Sequence, residues 1–301
     1  MTVNSYLGSV DEEHKVNILR NHPELLKILL KDQTTGKNII WATTNKELSG
    51  STFVDNERLI KKPIELAEAQ FIKPRIKKMI EEQKERTKGR AEVFTPTWIV
   101  KKMVDTVDSE FQELSLTRYV EKMWIEITCG EAPYIVSRYD AVTGKSIPVM
   151  ERVGFLDKKL QRITREIDDP KKWLRFAKKA YKATYGYEFQ GDSLLIAREN
   201  LLYSFIEYYE YKFNEKPKAK SLKEFANIIS FNIFQMDGLK YTIPLTGDVT
   251  KVEEPTVEQI ALFDFEDEIE EETKEISIGI PVLIKDWKKK KMIEFQSLQE
   301  N

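Results

Sequence analysis

Thr128-Cys129-Gly130 is the stretch whose residue types and spacing suit chemistry. It follows Trp124-Ile-Glu-Ile127, whose alternating apolar residues read as a short buried strand, and it opens a tight turn. In an α/β domain a nucleotide-like ligand lies at such a turn. A glycine lets the backbone approach the ligand closely, and the following helix presents unpaired N–H groups. Downstream, Tyr185-Gly-Tyr-Glu188 ends a second strand-like stretch in a carboxylate and leads into a long helix. Upstream, Phe94-Thr95-Pro96 precedes a helix in which Ile99, Val100, Met103, Val104, Val107 and Phe111 form one apolar face. Thr95 or Thr97 suits its cap and Pro96 its first turn.

Other chemistries find little support. Cys129 is the single cysteine, which excludes an internal disulfide framework and fits a reducing cytosol. Its commonest role would be that of a small buried hydrophobe. The two histidines, His14 and His22, provide no cluster with zinc spacing. No Gly-X-Ser-X-Gly elbow and no Gly-X-Gly-X-X-Gly fingerprint occurs, which argues against a nucleophilic hydrolase and a nucleotide-dependent oxidoreductase. No apolar run approaches the roughly 20 residues that span a bilayer, and the N-terminus lacks the layout of a secretory signal, so a cytoplasmic protein without membrane contact is expected.

The elements that must position these residues are legible from periodicity. Residues 11–31 read as two short helices broken near Pro23, followed by a Thr34-Thr-Gly36 turn and a strand over Lys37–Thr43. Apolar residues from Ile64 to Ile80 recur at helical spacing. Between Lys73 and Arg90 eight Lys/Arg face three Glu. Such a run is most often a solvated face, but Lys77, Lys78, Lys84, Arg86, Lys88 and Arg90 also suit contacts with backbone phosphates of DNA. Helical patterns around Leu156–Ile167 and Pro170–Tyr181 separate Gly130 from Glu188, where a plain βαβ unit needs only about 20 residues, so residues 137–182 read as an insertion. A long helix carries Leu194, Leu195, Ala197, Leu201, Leu202, Phe205, Ile206 and Tyr209 on one stripe, a shorter one spans about Ser221–Ala226, and Ile228–Gln235 reads as a buried strand ended by Asp237-Gly238. Eight of the twelve residues from Asp264 to Glu275 are acidic, and two further strands follow, over Ile276–Ile284 and after Lys285.

The order Phe94-Thr95-Pro96 before a helix, then Thr128-Cys129-Gly130, then a strand ending in Glu188, resembles the amino-methylating DNA adenine methyltransferases of restriction–modification systems, above all their M subunits. Leu30–Thr43 also looks like an N-terminal signature of that branch. The resemblance implies S-adenosylmethionine as cofactor and DNA as partner. It places Phe94, Thr95 and Pro96 over the cofactor, and Thr128, Cys129 and Gly130 along its methionine side. Glu126 would hold the amino group, Glu188 both ribose hydroxyls and Asp237 the adenine amino group. Without the resemblance Glu188 reads equally well as a helix-start acid, and Asp237 as half of a common turn pair.

Two departures from the family's Asp-Pro-X-Cys-Gly-X-Gly pattern stand out. Ile127 replaces the proline, and Ala132-Pro133 stands where a second glycine is usual, so the Ala132 methyl is expected to crowd the ligand. The (Asn/Asp/Ser)-Pro-Pro-(Tyr/Phe/Trp) segment that holds the target base in such enzymes has no counterpart, since no Pro-Pro pair occurs. The resemblance therefore implies a second chain carrying the catalytic and target-recognition parts. The alternatives are a catalytically inactive methyltransferase-fold protein that binds DNA or a protein, and a truncated gene product.

The expected fold is α/β, a Rossmann-like S-adenosylmethionine-dependent methyltransferase fold of three layers with a helical N-terminal segment. Residues 1–90 form that segment with its basic run, 91–250 the cofactor-binding core, and 251–301 the acidic loop and terminal strands. Strands at about 124–128, 183–188 and 229–235 should be neighbours in one parallel sheet.

Overall fold

The computed structural model describes residues 22–43, 61–74, 95–140, 142–247 and 279–298. Their helices are α1 (Pro23–Leu30), α2 (Leu66–Ala69), α3 (Thr97–Asp108), α4 (Leu116–Val120), α5 (Phe155–Glu166), α6 (Pro170–Lys182), α7 (Gly191–Phe213) and α8 (Ala219–Asn232). Three parallel strands, β1 (Trp124–Glu126), β2 (Thr184–Glu188) and β3 (Ile233–Gln235), lie side by side in that order, and β4 (Leu283–Asp286) pairs antiparallel with β5 (Lys291–Glu294). The chain is thus a mixed α/β unit compatible with a Rossmann-like fold. Residues 75–90 of the basic run, the acidic stretch and Phe94 lie outside the described residues.

Register assigns each strand residue to a face. Trp124 pairs with Thr184, Glu126 with Gly186 and Gly186 with Ile233, so these residues point to one side, together with Glu188 and Gln235. Ile125, Tyr185, Tyr187 and Phe234 point to the other. The first face is covered by helices, whose buried residues join Ile233 in the main core. The second is covered by the β4–β5 hairpin, where Tyr185, Tyr187, Phe234 and Met236 pack with Ile284 and Phe295.

The helical layer follows from local chemistry. Asp169 caps α6 by accepting from the Lys172 amide at 2.7 Å, and Pro170 occupies its first turn. Trp173, Ala177, Ala180 and Tyr181 then bury one stripe. With α5 this helix connects β1 to β2, so residues 137–182 carry the crossover of the sheet and much of the core. The spacing alone suggested an insertion. α7 is buried on nearly every side, from Gly191 to Tyr209, and forms the axis on which the other helices pack.

Three expectations change in extent. Residues 229–232 are the last turn of α8, because an unbroken apolar run does not distinguish strand from buried helix. Residues 38–43 hold isolated bridges rather than a ladder. β1 is an edge strand with Ile125 46% and Ile127 65% exposed, where the apolar alternation predicted burial.

The N-terminal segment is fastened by two side chains. Arg198 of α7, fully buried, donates through Nε to Ile233 O (2.7 Å), through Nη1 to Leu29 O and Lys31 O (3.0 Å), and through Nη2 to Ser230 O (3.2 Å). It thereby satisfies carbonyls at the ends of α1 and α8, which no later helical amide can reach. The Gln235 amide accepts from Ile40 N and donates to Ile40 O and Phe189 O, each at 2.8 Å. The start of α7 lies against the same segment, with Gly191 N donating to Trp41 O at 2.9 Å.

Candidate functional site

The carboxyl ends of β1, β2 and β3 lie along one edge of the sheet, as parallel pairing requires, and that edge is where open α/β sheets bind ligands. The loop after β1 is built from left-handed residues: φ is +46° at Thr128, +54° at Gly130 and +63° at Ala132. Glycine adopts this conformation freely. A β-branched threonine does so at a cost of roughly 1–3 kcal/mol. Strain of this kind is held only where surrounding contacts determine it, and here they are visible. Cys129 N donates to Tyr187 O (2.8 Å), extending the β1–β2 pairing into the loop, and Ala132 N donates to Cys129 O (2.7 Å).

Glu188, at the end of β2, binds this loop to the following helix. Its Oε2 accepts from Gly130 N at 2.8 Å and its Oε1 from Gln190 N at 3.1 Å. Burial raises its pKa above the usual carboxylate value, against the opposing pull of those two amides. Glu126 lies on the same face by register. Its carboxylate accepts from Ile135 N (3.1 Å) and Tyr134 N (3.4 Å), and burial of the head group holds its pKa well above the ordinary value, although the residue as a whole is partly exposed.

Cys129 is buried, and burial pushes its thiol pKa well up, so it is packing material rather than a nucleophile. It fits because Gly186 of β2 has no side chain: a Cβ there would sit 3.4 Å from Cys129 Sγ and 3.1 Å from Ile135 Cδ1. The methyl of Ala132, expected to crowd a ligand, faces the core instead, with the residue fully buried. Glu131 also turns inward, accepting from Tyr139 Oη at 2.7 Å. Thr128 is left exposed at the loop's outer edge.

Asp237 follows β3 on the same edge and is partly exposed. Its carboxylate accepts from Leu239 N (3.0 Å) and Lys240 N (3.2 Å), the arrangement of an Asx turn, so its local role is the turn that its Asp-Gly pair suggested. Thr95 and Pro96 precede α3, which packs through Val100 and Val104 on Tyr134 and Val153, beside the loop. The cap of α3 differs from expectation. Asp140 accepts from both the amide and the hydroxyl of Thr97, at 3.1 and 2.6 Å, and despite partial burial these bonds and those from Thr143 hold its carboxyl well below the ordinary value. Sequence reasoning missed Asp140 because it is 43 residues away. It missed Gln235 for a similar reason, since nothing local marks a glutamine as a backbone clamp.

Lys77, Lys78, Lys84, Arg86, Lys88 and Arg90, like Phe94, lie outside the described residues. Among the described residues no group of His, Cys, Asp and Glu has metal-binding geometry, and no helix is long and apolar enough to cross a membrane. Comparison with protein-family models, with curated proteins and with solved structures returns no match.

Proposed function

We propose that the edge formed by Thr128–Gly130, Glu126 and Glu188 is an S-adenosylmethionine site, and that the chain is the cofactor-binding portion of a DNA adenine amino-methyltransferase. The observation that carries this reading is the bond from the Gly130 amide, in the left-handed loop, to the Glu188 carboxylate, which joins the ends of two parallel strands at the edge where open α/β sheets bind ligands. The residues present fit the cofactor. A carboxylate has about four acceptor sites, and the amides of Gly130, Gln190 and Phe189 engage Glu188, which leaves capacity for a ribose hydroxyl. Glu126 on the same face offers a counter-charge to an amino group. With the Ala132 methyl in the core, Gly130 presents a bare backbone.

When bound, the cofactor supplies an electrophilic methyl group. This chain's residues would orient it: Glu188 fixes the ribose, Glu126 the ammonium end and the loop backbone the chain between them. Asp237, which follows β3 on the same edge, would meet the base on leaving its turn. No Pro-Pro pair occurs in the sequence, so the segment that grips a target adenine in such enzymes is not among these residues and would be supplied from outside them, a second chain being our proposal, with DNA as the expected substrate.

Calorimetric titration of the chain with S-adenosylmethionine, beside Glu188→Ala, tests the reading. Micromolar binding that the variant abolishes supports it. A folded chain that binds no cofactor, or whose binding survives the substitution, sinks it.

A further inference from the structure

Among the described residues, β1 is hydrogen-bonded on one side only. Trp124 N donates to Ala183 O at 2.9 Å, so by the alternation of a parallel ladder the amide and carbonyl of Ile125 point away from β2, toward an open edge. Parallel sheets are normally covered on both faces. Here the β4–β5 hairpin covers β2 and β3, while Met123 (66%), Ile125 (46%) and Ile127 (65%) stay exposed. Between β1 and the hairpin runs a groove of about 410 Å³, walled by Met123, Ile125, Tyr185, Phe234, Trp287 and Ile293.

The rim of the groove carries more lysines than carboxylates. Its carboxylates are engaged: Glu121 pairs with Lys179 at 2.6 Å, and Asp286 accepts the amides of Lys288 and Lys289. Lys182, Lys285 and Lys288 also line it, and none of the three has an ion-pair partner among the described residues. Lys182 lies over the Trp287 ring at 4.7 Å. An occupant must therefore be extended, to use the open backbone groups, apolar on alternate residues, to fill the groove, and acidic, to meet the lysines.

We propose that this edge and groove receive an acidic, apolar strand from a different polypeptide, which adds beside β1 as a fourth strand. A second copy of this chain fits poorly, because its own basic rim would be brought against this one. The proposal rests on the sheet edge and not on the cofactor reading, which the titration above tests separately.

The experiment is selection from a displayed library of random peptides on the full chain, then anisotropy titration of the enriched sequences against the chain, Ile125→Asp and Lys182→Glu/Lys288→Glu. All three side chains are away from the main core, and circular dichroism checks each fold. The expected result is enrichment of sequences alternating apolar residues with Asp or Glu, with affinity lowered about tenfold or more in both variants, since like charges in contact cost at least the ~1.4 kcal/mol of one decade. Failure to enrich, enriched peptides without carboxylates, or equal affinity for the variants would overturn the proposal. So would a dimer in sedimentation that Ile125→Asp dissolves, which would make a second copy the occupant.

Discussion

Replacing Arg198 by methionine tests how the N-terminal segment is held. The side chain is fully buried, and its guanidinium is bonded to four backbone carbonyls, those of Leu29, Lys31, Ser230 and Ile233. Burial draws its pKa down to about 10, so it stays cationic at neutral pH. Methionine fills much of the same space and donates nothing. An orphaned buried carbonyl costs about 1–3 kcal/mol, which for four gives a gross loss of roughly 4–12 kcal/mol. Against this, the variant no longer buries a cation, a saving of several kcal/mol. The net expectation is a loss of about 3–5 kcal/mol, near the lower end of that gross range. Arg198→Lys, with three donors for four acceptors, should lose about half as much.

The assay is urea unfolding followed by tryptophan fluorescence, with the slope m compared across the three proteins. A lower midpoint at constant m is the expected signature, accompanied by a fall of roughly 10 °C in Tm. Hydrogen exchange should accelerate first in residues 22–43, whose α1 end the guanidinium caps. If Arg198→Met unfolds within 0.5 kcal/mol of the parent, about the effect of a neutral surface change, the carbonyls do not depend on this side chain and the capping argument is wrong.

Three further outcomes are expected. Lys159 is buried with its Nζ on Lys122 O at 2.6 Å, and burial lowers its pKa to about 7 against roughly 10.4 in an unfolded chain, so between those values the unfolded state holds a proton that the folded state lacks and stability rises with pH; Lys159→Met should flatten that slope in a pH series of unfolding midpoints. Gln235→Glu keeps an acceptor for Ile40 N but loses the donor to Ile40 O and Phe189 O, and should cost about 2–4 kcal/mol, with faster exchange of the Ile40 amide. Gly191→Ala would set a Cβ 2.0 Å from Ile40 O and should lower stability by about 1–3 kcal/mol or more by thermal denaturation.

How much of this was legible in the sequence differs between elements. The three parallel strands and α7 were, because each is an apolar stretch bounded by a turn, although the start of β3 was not. The β4–β5 hairpin was partly so: Lys285–Phe295 reads as a turn and a strand, although β4 itself begins at Leu283. Glu188 was also legible as a strand-end carboxylate. What periodicity does not encode is neighbourhood. Ile125 and Ile127 have the pattern of buried residues, yet β1 lies at an edge, and nothing within the strand says so. The Ala132 methyl was expected to point toward a ligand, whereas the left-handed backbone turns it inward. The network in which Arg138 and Arg152 meet Glu207 at 2.8 and 2.5 Å joins residues more than fifty positions apart, beyond any local signal.

The fastening of the N-terminal segment also orders events during synthesis. Leu29 waits for Arg198, 169 residues later, Ile40 for Gln235, 195 residues later, and Thr34 for Leu283, 249 residues later. A ribosome that emits about 5–20 residues per second therefore leaves residues 22–43 without their partners for roughly ten seconds or longer. Their contacts are among the most non-local in the chain, and closure of such loops is slow. The stretch made early is consequently fixed late. Leu25, Leu26, Leu29, Leu30 and Trp41, all buried in the finished fold, are the apolar surface on which a chaperone would act during that interval.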